Sequence, residues 1–280
     1  MAQGLTIRVG HSPDPDDAFM FYALATGAIP SAGLEIVQVL EDIESLNRRA
    51  LEGRIEVSAV SFHAYAHLAD RYLLLSSGAS MGDGYGPVVV TRRPAGPEDL
   101  GRMTIAVPGR LTTATLVLRL ALGAVRTEVM PFDRILEAVA RGEREAGVLI
   151  HEAQLTYGAS RLHKAIDLGE WWHRETSGLP LPLGGNVIRR DLGPETIARL
   201  DLLLRESIRY GLEHRAEALT YAMEFGRGLA SSLADRFVGM YVNDYTLDYG
   251  PKGRLAVETL LRLGHRAGIL PRPVEAEFAG

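Results

Sequence analysis

Residues 103–120, MTIAVPGRLTTATLVLRL, decide how this chain is read, because residues 5–24, LTIRVGHSPDPDDAFMFYAL, repeat their plan. Each stretch is an apolar strand, a polar loop and a segment of helical period. A second pair follows in the same order: residues 46–62, LNRRALEGRIEVSAVSF, resemble residues 135–152, ILEAVARGEREAGVLIHE. Each is a helix closed by glycine and then a strand with a polar end, at Ser61 or His151. Two such units imply two similar α/β lobes built mainly on parallel sheets.

Outward from the repeats, the pattern predicts a first lobe from 1–92, a second from 97–183, and a return to the first over 187–280 as long helices. RRPAGPEDLG (92–101) and GLPLPLGGN (178–186) read as the two crossings. Ligands of open α/β sheets sit beyond the carboxyl ends of the strands, so two facing lobes place one in the cleft between them.

Composition narrows the class. The chain has 280 residues, 46% of them hydrophobic, with a net charge of −5 and no basic block. No nucleic-acid or membrane partner is expected. Cysteine is absent, which removes disulfides, thiolate catalysis and Cys-ligated metals. Lys164 and Lys252 are the only lysines, and neither lies in a motif, so Schiff-base chemistry has little to work with. MAQGLTIRVG (1–10) enters a strand without a secretory pattern, and no run reaches transmembrane length. A cytoplasmic location is expected; a homodimer is left open.

Four segments should line the cleft. In PGRLTTAT (108–115), Gly109 permits a tight turn and Thr112 or Thr113 can cap the next helix, whose free N–H groups and dipole form an anion site. The other reading is a capped helix with no ligand. His151 closes the strand AGVLI, where it is either a hydrogen-bonded structural residue or a proton acceptor with suitable intrinsic basicity. Glu152 would point to the opposite face if the strand continued. In HSPDPDD (11–17), Asp14 is a good N-cap, Pro15 fits the first helical position, and Asp16 and Asp17 suit the first turn. Gly27 would end that helix. No second cluster completes a metal site, so no metal is expected. His63 and His67 stand at i,i+4 in VSFHAYAH but lack an acidic partner, which favours an ordinary helix face. Trp171 and Trp172 read as packing residues. YVNDYTLDYG (241–250) is a polar-aromatic stretch that either touches the cleft or caps a helix.

Taken together, SPDPDDAFMFYAL, LEDIESLNRRALEGRIEVSAVSFHAYA, VPGRLTTAT, RGEREAGVLIHEAQLTY, DLGEWW, GLPLPLG and YVN resemble the 1,4-dihydroxy-6-naphthoate synthase family of menaquinone biosynthesis by the futalosine route. The likeness runs nearly the whole length. It implies a two-lobed periplasmic-binding-protein-like fold and a cofactor-independent carbon–carbon lyase acting on a small-molecule carboxylate, cyclic dehypoxanthine futalosine. It implies His151 as proton acceptor, and substrate contacts at Ala59, Val60, Ser61, Thr112, Thr113 and Ala114. Better-known members read S-P-C-P-N-D where this chain has Ser12-Pro13-Asp14-Pro15-Asp16-Asp17, and commonly carry lysine where it has Ala59. If those groups face the cleft, its charge shifts by up to roughly three units toward negative. Ser12, Asp14 and Asp16 are therefore expected to touch substrate, and Arg110 is the expected compensating cation. The competing readings are a non-catalytic solute-binding protein of the same fold, which the missing secretory pattern disfavours, and the chorismate-using dehydratase of the same pathway, which lacks the SPDPDD and LIHE signatures.

Overall fold

The computed structural model describes residues 5–31, 33–226 and 230–279. Residues 1–4, read above as the lead into the first strand, lie outside the described residues. The chain opens with β1 (Thr6–His11), α1 (Pro15–Ala25), β2 (Glu35–Leu40), α2 (Ile43–Leu51), β3 (Val57–Ser61), α3 (Phe62–Leu68), β4 (Tyr72–Leu74) and β5 (Ser80–Gly82). It continues through β6 (Val88–Thr91), α4 (Pro97–Leu100), β7 (Thr104–Val107), α5 (Thr113–Leu122), β8 (Arg126–Val129), α6 (Phe132–Arg141), β9 (Ala146–Leu149), α7 (Ala153–Thr156), β10 (His163–Asp167) and α8 (Leu168–Glu175). It returns through β11 (Leu181–Arg189) to α9 (Pro194–Glu213), α10 (Arg215–Met223), α11 (Ser231–Tyr241), α12 (Asp244–Leu247) and α13 (Gly250–Arg266).

Two sheets result. The first runs β2-β1-β3-β11-β4, with β5 also on β11; the second runs β10-β6-β9-β7-β8. The repeat is visible in them: β1 pairs parallel with β2 and β3, as β7 does with β8 and β9. Both sheets are more mixed than the alternation of strands and helices predicts. β11 is antiparallel to all three of its partners, and β6 is antiparallel to both β9 and β10.

The strand at 88–91, expected with the first lobe, belongs to the second sheet, and β11 from residue 181 already belongs to the first. The reason is physical. All four residues of β6 are buried, and an unbroken apolar run carries no alternation to say which sheet it faces.

Packing then ties the lobes together. Phe19, Met20 and Phe21 of α1 are at most 1% exposed, because α1 is enclosed by α9, α10 and α11 as well as by its own sheet. A single apolar cluster runs from Leu46 in the first lobe through Val107 and Leu116 to Trp172 in the second, and on to Leu260 of α13. Trp172 is fully buried, and its indole N–H donates to the Pro180 carbonyl at 2.9 Å, so the expectation of a packing role holds. Trp172→Ala is expected to cost ~3–5 kcal/mol of stability through the cavity it leaves and the orphaned carbonyl; urea unfolding measures the loss, and a change below about 1 kcal/mol would contradict it.

Candidate active site

The polar loops of the two repeats face each other across a cleft of about 720 Å³, counting the part open to solvent. At the end of β1, the Asp14 carboxylate caps α1 by accepting from the Asp17 N–H at 3.3 Å, with Pro15 in the first turn. Asp17 folds back to accept from the Ser12 N–H at 2.7 Å. The predicted helix start is therefore present, and the helix stops at Thr26 just before Gly27. All three carboxylates are nonetheless buried, at 1%, 6% and 7% exposure for Asp14, Asp16 and Asp17.

Across the cleft, β9 ends at Leu149 and His151 adopts the left-handed region, with φ 53°. That conformation costs a non-glycine residue ~1–3 kcal/mol and is kept only where surroundings enforce it. The strand does not continue, so no alternation sends Glu152 to the far face. The turn swings the imidazole into the cleft, where the Phe132 ring meets it edge-on at 4.9 Å. His151 Nδ1 lies 3.1 Å from Asp14 Oδ2, while Nε2 is buried without a hydrogen-bond partner.

Burial works against charge on Asp14, yet His151, the Asp16 carboxyl and the Asp17 N–H together hold its pKa below the ordinary carboxylate range. Burial first, and then the neighbouring carboxylates, push Asp16 well above that range. Burial and the Asp14 charge do the same to Asp17, against the pull of the Ser12 N–H. Asp14 is thus the ionised member, and Asp16 carries a proton that it shares with Asp14. Donor atoms of Asp14, Asp16 and His151 lie within 4.8 Å of one another, close enough to surround one cation. The trio spans both lobes, so the sequence could not show that His151 joins the two carboxylates.

The second repeat's loop is built differently. Thr112 caps α5 by accepting from the Thr115 N–H at 3.4 Å, and the first turn of α5 holds no acidic residue. Its leading N–H groups are therefore not neutralised by the helix's own carboxylates. Gly109 serves close approach rather than a special turn: a Cβ there would lie 2.3 Å from Glu44 Oε2. Glu44, from the first lobe, accepts from the Arg110 N–H at 3.2 Å and the Leu111 N–H at 3.4 Å.

Ser12, Asp14, Asp16, Ala59, Val60, Ser61, Thr112, Thr113, Ala114 and His151 all line the cleft. Arg110 does not: Glu44 takes its backbone amide from the inner side, and the residue stays exposed. No arginine or lysine stands among the described residues that line the cleft, so Arg110 is not the expected compensating cation. His63, met as half of an i,i+4 pair, is buried; its Nδ1 contacts the Thr112 carbonyl at 3.2 Å and its backbone N–H donates to Thr113 Oγ1 at 3.3 Å. Burial pushes its imidazole down to about 4, so it is a neutral strut between α3 and α5.

Several lining residues escape sequence reasoning. Tyr241 at the end of α11 donates to Gln154 Oε1 at 2.8 Å and closes one wall with Phe237. The stretch beginning at Tyr241 thus both touches the cleft and caps a helix, since Asn243 caps α12. Asn47 of α2 accepts from the Ser61 N–H at 3.0 Å and fixes that strand end. A buried Asn in a helical stripe was its local signal, whereas Tyr241 opens the polar-aromatic stretch already singled out in the sequence.

Fold and site together define a two-lobed, periplasmic-binding-protein-like molecule whose cleft holds a carboxylate–imidazole pair. The alkanesulfonate-binding protein of Xanthomonas axonopodis shares that fold, with TM-score 0.70 at 14% identity over 99% of this chain and 98% of its own. A solved protein from Archaeoglobus fulgidus is nearer, with TM-score 0.89 and 48% identity over 94% of this chain and 98% of its own. The profile of a family described as menaquinone biosynthesis matches residues 7–266. Proteins called 1,4-dihydroxy-6-naphthoate synthase are 45% identical in Thermus thermophilus, over 96% of this chain and 98% of the relative, and 37% identical in Streptomyces coelicolor, over 95% of each. The chain belongs to this menaquinone-biosynthesis family.

A carboxyl whose acidity is weakened by folding binds its proton more tightly folded than unfolded, so stability is lost as pH rises above the unfolded value near 4. Asp16→Asn, which removes that penalty, is expected to raise the melting temperature, with a larger gain at pH 7 than at pH 4. Melting curves of both proteins across that range provide the check; a gain that shrinks as pH rises would be inconsistent with a protonated Asp16.

Proposed function

We propose that this protein is a lyase converting cyclic dehypoxanthine futalosine to 1,4-dihydroxy-6-naphthoate, with His151 as the general base. The observation that carries the reading is the His151 Nε2, buried in the cleft with no protein partner. It is supported by two relatives bearing that enzyme's name along nearly the whole chain. A retro-aldol-like cleavage needs a base to take the proton whose loss breaks the carbon–carbon bond, and donors to hold the enolate charge that the electrons leave behind. Further proton loss then aromatises the ring, which supplies the driving force, so the reading calls for no cofactor.

The rest of the cleft suits such a substrate. With no arginine or lysine among the described lining residues, the helix α5 terminus at Thr113 and Ala114 is the natural seat for its carboxylate. Ala59, Val60 and Ser61 form the facing wall, with Ser61 pinned by Asn47. The reading places the protein in the cytoplasm, where a biosynthetic enzyme meets its soluble precursor. Among the described residues no helix is long and apolar enough to cross a membrane.

Purified protein supplied with cyclic dehypoxanthine futalosine is expected to release the naphthoate, followed by chromatography. His151→Ala should lower kcat by about 10²–10⁴-fold with an unchanged circular dichroism spectrum. Binding of the compound without turnover at high enzyme concentration would instead make this a solute-binding protein.

A further inference from the structure

We propose that Asp14 is a positioning residue for His151: its carboxylate holds the imidazole with the proton on Nδ1 and steadies the cation formed when Nε2 takes a proton. The inference rests on the reading of His151 as base. Three observations support it independently of the family likeness. The Nδ1–Oδ2 distance of 3.1 Å is hydrogen-bonding distance, and only Nδ1 is engaged, which leaves Nε2 toward the cleft. The backbone at His151 is left-handed and the Phe132 ring packs edge-on against the imidazole, so the ring has a built orientation rather than a free one. Asp14 is itself fixed, because the same carboxyl group caps α1 through the Asp17 N–H.

The surrounding groups favour one ionised carboxylate at this point and no more. Asp16 and Asp17 stand on the same helix start, with Asp16 hydrogen-bonded to Asp14 and Asp17 turned away to the Ser12 N–H. From α11, Tyr241 is committed to Gln154. On β1, His11 stacks on Phe21, with burial, its largest influence, holding it toward the neutral form. Glu152 follows His151 in the chain. Among these, Asp14 is the group whose charge meets the imidazole at hydrogen-bond distance. The two partners also come from opposite lobes, Asp14 from the end of β1 and His151 from the end of β9. The base is therefore oriented by a contact made across the cleft, in the unliganded protein.

The test separates this role from substrate contact and from a cation site. Imidazole ¹⁵N NMR on the unliganded protein should show His151 as the Nδ1–H tautomer; the Nε2–H tautomer there would overturn the proposal without any variant. Asp14→Asn keeps the volume but places an amide donor beside Nδ1, so it should populate the Nε2–H tautomer. Its kcat should fall about 10²-fold or more while KM stays within about threefold. A KM rise with kcat and tautomer unchanged would make Asp14 a substrate contact. Wild-type activity abolished by EDTA and restored by Mn²⁺ or Zn²⁺ would make the trio a metal site, and either result overturns the proposal. If the wild type does not turn over cyclic dehypoxanthine futalosine, the base reading fails on that assay alone, and the NMR tautomers still decide whether Asp14 orients His151.

Discussion

Three carboxylates are taken out of water where β1 gives way to α1, and the cleft is arranged around what that demands. A buried carboxylate cluster cannot stay fully ionised without compensation. Here the helix terminus, the Ser12 and Asp17 amides, a shared proton and the imidazole of His151 supply it. The compensation comes from both lobes, so the charge at the start of α1 is also a reason for the lobes to meet.

The two repeats share a plan and differ in electrostatics. Each presents a strand end, a polar loop and a helix start to the cleft. At α1 the helix's own Asp14, Asp16 and Asp17 occupy the terminus, whereas the first turn of α5 has none. One helix start thereby carries its own carboxylates toward His151, and the other presents a first turn free of them. Glu44 adds to this division. It takes the amides of Arg110 and Leu111, just before α5, and leaves those of Thr113 and Ala114 to the cleft.

Much of this was legible in residue order. The strand–loop–helix repeat marked the two lobes, and the capping chemistry of Asp14, Pro15 and Thr112 is local, so it survived folding unchanged. His151 was visible because a polar residue ending an apolar strand is a positional signal in α/β sheets. The sheet that takes β6 was not legible, since VVV buried on both faces reads the same in either. The role of Arg110 was not legible either, because its direction depends on Glu44, which is remote in sequence and adjacent in space. His63 and His67 show the reverse case: a spacing that suits metal ligands turned out to carry a buried strut on the Thr112 carbonyl.

HSPDPDD shows where the two kinds of information part. By itself the sequence determined a capped helix start with acidic residues in its first turn, and, through the repeat, its place at the mouth of a cleft. Those are consequences of neighbours a few positions apart. Only the tertiary structure decided that Asp14 meets His151 while burial pushes the pKa values of Asp16 and Asp17 well above the ordinary carboxylate range. Acidity and pairing depend on burial and on groups 137 residues apart in the chain, from 14 to 151, and no local pattern carries either.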